Sequence, residues 1–494
     1  MKYLLGYDIG SSSIKAALLQ ADSGKIIASA FSPSHEMEII SVKPGFAEQH
    51  PEKWWSELIN ATRQLQQQVS YKPNDIMAIG ISYQMHGLVC VDRNLKTLRP
   101  SIIWCDSRGV EFGEKAFSAL GEEFCLQHFL NSPGNFTASK LKWVKENEPE
   151  IYEQIFKIML PGDYIALKLT GQPATTISGL SEGIFWNYQS NSIAKELLDY
   201  YQIDEDLLSS VVPTFGEQAR INNEASVILG IAKGTPVCYR AGDQPNNAYS
   251  LNVLQPGEIA ATAGTSGVVY GVTDRVEYDR RSRVNPFVHV NNTDIDKRYG
   301  ILLCVNGTGI LNSWLRKNVF VGLSYDQINN LAAKSKMGAE GLQFFPFGNG
   351  AERILENKNP GANLKGLQFN THDRTHVARA AQEGIVFALN YGMEIMKEMK
   401  MELKTIRAGY ANMFLSEVFA QTFSNVSNCS IELYSTDGAV GAARAAGVGS
   451  GYYKNFAESF RGMEMVKKIE PETKSLQQTG DIYQGWKKEL LSLL

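Results

Sequence analysis

Two short runs of small polar residues, each set between strand-like segments, constrain this chain more than any other feature. The first is Asp8-Ile9-Gly10-Ser11-Ser12-Ser13-Ile14-Lys15 and the second is Ala263-Gly264-Thr265-Ser266-Gly267. Their opening glycines, Gly10 and Gly264, stand about half the length of the 494-residue chain apart. A glycine-containing bend exposes successive backbone N–H groups, and with serine or threonine hydroxyls these form a concavity suited to phosphate oxygens. A single loop of this kind is equally a polar hairpin turn capped by its aspartate. Two, one per half, predict a pair of related domains facing a shared anionic ligand.

Length points the same way, because 494 residues exceed what one hydrophobic core usually supports. The expected domains are 1–248 and 249–494, with the boundary near Gln255-Pro256-Gly257, which breaks any regular element. Strand signals over Tyr3 to Ile9, Ile14 to Ala21 and Lys25 to Ser32 predict a meander of hairpins. A helix follows Pro51, and a strand is expected over Ile76 to Ser82. The stretch GLVCVDRNLKTLRPSIIWCD reads as two strands about a turn at Asp92 to Lys96, and helices dominate from about 110 to 235. In the second half Thr371 or Asp373 caps a long helix with one apolar face, and a strand over Ile431 to Tyr434 leads to the small-residue helix GAVGAARAAGVGSG. This order of elements argues for an α/β fold in both halves.

Several function classes drop out. Lys and Arg number 48 against 52 Asp and Glu, a net charge of -4, with no basic cluster, so nucleic acid is not an expected partner. The six cysteines form no CxxC pair and read as reduced, mostly buried thiols. No apolar run approaches the roughly 20 residues of a membrane span, and the N-terminal run meets Asp8 before a signal-peptide core could form. No membrane association is expected, and the cytoplasm is the expected location. Neither GxxxxGK[ST] nor a GxGxxG after a strand occurs, which excludes P-loop and dinucleotide sites of those types.

The remaining polar constellations sit where strands end, the usual place for ligand crevices in open α/β sheets. Asp8 could hold Mg²⁺ directly or through water, since magnesium takes few carboxylates and keeps much of its hydration shell. Lys15 is a phosphate partner or an exposed charge. Gln84, Met85 and His86 combine hydrogen-bonding groups with an adaptable apolar wall. Trp104, Asp106 and Arg108 suit a polyhydroxylated ligand, or equally form a buried ion pair beside a core tryptophan. Asp243, followed by Gln244, is a carboxylate at a strand end near the domain boundary. An unperturbed pKa of about 3.9 would keep it ionised and able to accept a hydroxyl proton. His372 and His376 have i, i+4 spacing without the glutamate of a zinc-protease motif. GNGAER, Gly348 to Arg353, lines a site or simply connects elements.

Assembled in order, DIGSSSIK, GFAEQHPEKWW, YQMHG, IIWCDSR, GDQPNN, AGTSG, FFPFGNGAER, ARAAQEGIVFAL and DGAVGAARAAG resemble the FGGY family of carbohydrate kinases over almost the whole chain. The resemblance implies two actin-like, ribonuclease H-like ATPase domains around a central cleft, with sugar mostly on the first and ATP mostly on the second. The implied reaction moves the γ-phosphoryl group of ATP to a sugar. The QMHG string resembles family members that act on D-xylulose rather than on glycerol or gluconate; L-ribulose, xylitol, gluconate and glycerol are the alternative sugars and polyols, and the competing class is a non-enzymatic actin-like nucleotide-gated module. Carried over, Asp243 is the catalytic base. Met85 and His86 contact the sugar, with Gln84, Trp104, Asp106, Arg108 and Gln244 as further sugar-site residues. Asp8 serves Mg²⁺; Gly10, Ser11, Ser12, Ser13 and Lys15 serve phosphates, and Gly264, Thr265 and Ser266 grip them from the other side. A homodimer is among the assemblies this implies. One departure stands out: where the family has a glycine triplet passing the adenine, this chain has Arg407-Ala408-Gly409-Tyr410-Ala411-Asn412. Gly409, Tyr410 and Asn412 are then the nucleoside-side residues, with Tyr410 able to stack on a base.

Overall fold

Tyr3, Leu5, Tyr7 and Ile9 alternate with Leu4 and Gly6 along one strand, and all six are buried. Period-two burial on both faces requires a sheet covered on both sides, and the computed structural model, which describes residues 1–494, has one. The six-stranded sheet runs in the order Phe215–Arg220, Pro236–Gly242, Ile76–Tyr83, Tyr3–Ile9, Ile14–Gln20, Ile26–Ser32. The last three form the expected antiparallel meander, while Tyr3–Ile9, Ile76–Tyr83 and Pro236–Gly242 are mutually parallel neighbours. Their C-terminal ends, Ile9, Tyr83 and Gly242, therefore lie side by side.

One face packs Tyr7 and Ile9 against Trp54, Leu58 and Leu65 of the Pro51–Gln68 helix. The other receives the Gly438–Gly449 helix through Leu4, Ala17, Ala78, Ala439 and Ala443. The approach is close enough that a side-chain carbon on Gly6 would overlap the carbonyl of Ala439 and stand 2.5 Å from the Ala443 nitrogen.

The chain forms two compact units: 1–252 with 287–299 and 436–463, and 253–286 with 300–435 and 464–494. The first unit is thus discontinuous, whereas the sequence reading cuts the chain once, at 248/249. The small-residue helix belongs to the first unit because its alanines and glycines match the strand glycines Gly6 and Gly80. In the second unit's seven-stranded sheet, Glu258–Ala263 pairs antiparallel with Gly267–Thr273 and parallel with Thr405–Gly409, which in turn is parallel to Ser430–Tyr434. This hairpin followed by parallel neighbours repeats the connectivity of the first unit, as the paired loops predict. Asp373 caps the Arg374–Glu398 helix.

The segment from Gly87 to Asp106 has the expected two strands, Val89–Val91 and Ser101–Ile102, about a turn closed by Asp92 N–H on the Lys96 carbonyl, with Val91 bridging Thr97 and Leu88 bridging Ile102 antiparallel across it. Each strand also pairs outside the segment, Val89–Val91 with Lys157–Met159 and Ser101–Ile102 with Glu48–Gln49. Four of the six cysteines are buried; Cys304 is partly covered and Cys105 is exposed. No helix is long and apolar enough to cross a membrane.

Candidate active site

In the first unit the three adjacent parallel strands deliver their end residues to one place. Asp8 Oδ1 accepts from the Ser82 hydroxyl at 2.8 Å, and Gln84 N–H donates to the Ile9 carbonyl at 2.8 Å. Burial raises the Asp8 carboxyl above its usual range, Lys15, its cross-strand partner, opposes this, and Asp437 adds to it. Lys15 itself is exposed. The Gly10–Ser13 bend closes through Gly10 N–H to Ser13 O at 3.1 Å, and its carbonyls are held by Gln49 on Ser11 and Met37 on Ser12.

Asp243 is the first residue of the Asp243–Ser250 helix, directly after the Pro236–Gly242 strand. Its carboxyl is pushed up to about 7, first by burial and then by the neighbouring charge of Asp8, with hydrogen bonds from Gln244 opposing. This corrects the expectation of an ordinary, fully ionised aspartate: a strand end walled by a second carboxylate disfavours the charged form. Gly242 touches Glu182 and Met85, and a side-chain carbon there would overlap Glu182 Oε2 and stand 2.6 Å from Met85 Cγ.

Gln84 and Met85 are buried, and His86 adopts φ 60° with Nδ1 2.9 Å from the Glu182 carbonyl. Trp104 is 48% exposed and its indole N–H reaches Ser11 Oγ at 3.3 Å, joining two of the expected site segments. Asp106 and Arg108 do otherwise. Arg108 Nε and Nη2 bind Asp106 at 2.7–3.0 Å, Nη1 pairs with Glu48 at 2.6 Å, and Asp106 Oδ2 also accepts from Ala47 N–H. The guanidinium lies 3.8 Å over the Phe46 ring. Every polar atom of the pair is engaged inside the protein, as the ion-pair alternative expects.

In the second unit Gly264-Thr265-Ser266 forms the turn between paired strands. The Gly309–Asn318 helix turns its first N–H groups onto this loop, Gly309 N to Gly264 O and Ile310 N to Thr265 O, both at 2.9 Å. Gly409 ends the parallel neighbour strand, Tyr410 follows 45% exposed, and Asn412 Nδ2 lies 3.7 Å from a side-chain position on Gly264. Both expected nucleotide-side segments thus meet at adjacent strand ends. Arg407 is tied between Glu258 and Glu432 at 3.0 and 2.9 Å. Within GNGAER, Glu352 is buried and accepts from Asn306 and Gly307 N–H. His376 bridges Asp373 and Glu340, and His372 accepts from Gln368 N–H.

Family models decide the class. The N-terminal domain of the FGGY family of carbohydrate kinases matches residues 3–249, and its C-terminal domain matches 259–450. The chain belongs to the FGGY family of carbohydrate kinases. The FGGY chain is 27% identical over 465 residues to a xylulose kinase of Bacillus subtilis, covering 93% of this chain and 90% of that one. Its fold matches ligand-bound xylulose kinase from Lactobacillus acidophilus with TM-score 0.90 at 23% identity, covering 100% and 98% of the two chains. It also matches gluconate kinase from Lactobacillus acidophilus with TM-score 0.89 at 23% identity and the same coverage. The architecture is the two-domain actin-like fold, and it is shared by kinases named for different sugars.

Two residues of this FGGY kinase escape the sequence reading. Glu182 is 1% exposed, and burial followed by the charges of Asp243 and Asp163 drives its carboxyl well above the usual range. Lys140 is fully buried in the Thr137–Asn147 helix and donates to the carbonyls of His86 at 2.8 Å and Ile103 at 2.9 Å. Neither stands in a polar motif. Each is a charged residue in an otherwise mostly buried helical stretch, a property that the tertiary structure and not the linear sequence displays.

Proposed function

We propose that this kinase transfers the γ-phosphoryl group of ATP to D-xylulose, giving D-xylulose 5-phosphate. The observation that carries the reading is Asp243: a carboxyl raised to about 7 at the meeting of three strand ends, beside Met85 and the Gln84–His86 turn. A base poised near working pH accepts the proton of the sugar hydroxyl as its oxygen bonds to the γ-phosphorus and the bond to the ADP oxygen breaks. Nearly full-length similarity to a xylulose kinase supports the choice of sugar.

In this reading Gln84, Met85, His86, Gln244 and Trp104 wall the sugar, with Trp104 covering an apolar C–H face. Gly10–Ser13 and Lys15 attend the phosphates from the first unit. Gly264, Thr265 and Ser266 hold nucleotide phosphates on the second, and Gly409, Tyr410 and Asn412 attend the nucleoside. Asp8 fits Mg²⁺, because a carboxylate whose charged form is disfavoured by burial and by Asp437 gains most from a hard cation. Bound there, the ion would neutralise phosphate charge.

A coupled kinase assay over D-xylulose, L-ribulose, xylitol, gluconate and glycerol tests the assignment. The expected result is a kcat/KM for D-xylulose at least about tenfold above every other member of the panel. Equal or better turnover of another member overturns it.

A further inference from the structure

Lys140 is a buried ammonium with no carboxylate within ion-pair distance. The acidic group nearest in influence, Asp106, is committed to Arg108 and the Ala47 N–H. Taking such a cation out of water without a counter-ion is costly, so its place in the fold calls for a use of the charge. Both of its bonds go to backbone carbonyls of site segments. His86 belongs to the Gln84–Gly87 turn, and Ile103 immediately precedes Trp104. The His86 backbone, at φ 60°, is in the left-handed region that residues with side chains rarely adopt, and it persists only where its surroundings fix it. Among the contacts that fix it are Lys140 on the His86 carbonyl, the His86 ring on the Glu182 carbonyl, and the Phe136 ring edge-on at 4.9 Å.

We propose that Lys140 is a positioning residue for the sugar, a buried cationic tie that joins the His86 turn to the Trp104 loop and so sets the affinity of the two-walled site they form. The inference rests on the proposed function only in taking those two segments as the sugar walls. The groups facing Lys140 are Asp106, Arg108 and Cys105, besides the two carbonyls. Burial lowers its ammonium to about 7, against which the Asp106 charge works. Loss of the proton leaves N–H donors in place but removes the charge assistance that makes such bonds strong. The tie therefore weakens as pH rises through about 7.

The test compares the unaltered enzyme with Lys140→Met and Lys140→Arg in steady-state kinetics, using whichever panel sugar the unaltered enzyme phosphorylates best. For Lys140→Met the sugar KM is expected to rise about tenfold or more, from the loss of two charge-assisted bonds, while the KM for ATP stays within about twofold. In the unaltered enzyme the sugar KM should climb between pH 6 and 9. In Lys140→Arg, which does not titrate there, it should lie between the other two and stay flat. An unchanged sugar KM in Lys140→Met, or a loss of Tm and active fraction with both KM values intact, overturns the proposal. If Lys140→Met does not fold, a flat sugar KM profile in the unaltered enzyme overturns it just as well. Preference for a sugar other than D-xylulose would refute the functional assignment alone, since the KM split is read on the sugar actually used.

Discussion

Glu182 packs its carboxyl group against the α-carbon of Gly242, the residue immediately before Asp243. A methyl group there has nowhere to go between Glu182 and Met85. Gly242→Ala should lose about 1–3 kcal/mol of stability from overpacking and at least about tenfold in kcat, because small misplacements of a reacting group are expensive. Denaturant unfolding and initial rates measure the two. Truncating Glu182 to Ala in the same chain reopens the space, so the double variant should recover part of both losses; strict additivity would show that the contact does not couple them.

Asp243→Asn keeps the shape and removes the base. A positioned general base contributes about 10²–10⁴-fold, and kcat should fall on that scale while ADP binding, followed by calorimetry, is unchanged. In the unaltered enzyme, activity should rise with pH through about 7 as Asp243 loses its proton. A rate that is flat from pH 5 to 9 would contradict the assignment.

The same carboxyl has a stability cost of defined sign. Its pKa is raised from 3.8 to about 7 on folding, so the stability it contributes is fully present below about 3.8 and is lost as pH rises through about 7. Asp243→Asn should therefore melt higher than the unaltered protein at pH 8, with the gap closing by about pH 4. Thermal scans across that range are the check; a gap independent of pH would mean the group is not perturbed by folding.

Gly6→Ala would drive a methyl into the Ala439 carbonyl of the packed helix. Backbone cannot yield as a flexible side chain does, and a loss of about 2 kcal/mol or more is expected. A urea midpoint unchanged from the unaltered protein would mean that the helix moves freely on the sheet.

Tyr410, half exposed beside the Gly264 loop, should contribute through its ring. Tyr410→Ala is expected to raise the KM for ATP about three- to tenfold, the worth of one aromatic stacking contact, and to leave the sugar KM alone. An effect confined to the sugar would move Tyr410 out of the nucleotide site.

Local pattern made much of this molecule readable. Period-two burial in Tyr3–Ile9, the polar hairpin bends and the Asp373 cap are short-range features, and they appear where residue chemistry puts them. The likeness of the two halves was legible because a glycine bend with hydroxyls joins an antiparallel strand pair in each. What stayed hidden depends on distant partners. The pKa of Asp243 is raised first by burial and then by Asp8, which lies on another strand, and the Asp106–Arg108 pair is closed by Glu48 and Phe46 from an earlier segment. Lys140 and Glu182 look like surface charges in the linear sequence; only tertiary burial makes them otherwise.

The return of residues 436–463 to the first unit has a consequence during synthesis. All six strands of that sheet leave the ribosome while the Gly438–Gly449 helix has not yet been made. Until it arrives, Leu4, Ala17 and Ala78 have no cover on that side, a bare apolar face of the kind that invites aggregation or chaperone binding. The first unit is therefore completed only once residues 436–463 have been made. Nascent chains cut short before residue 436 are left with that face open, and quality control can sort them from finished protein by this exposed sheet alone.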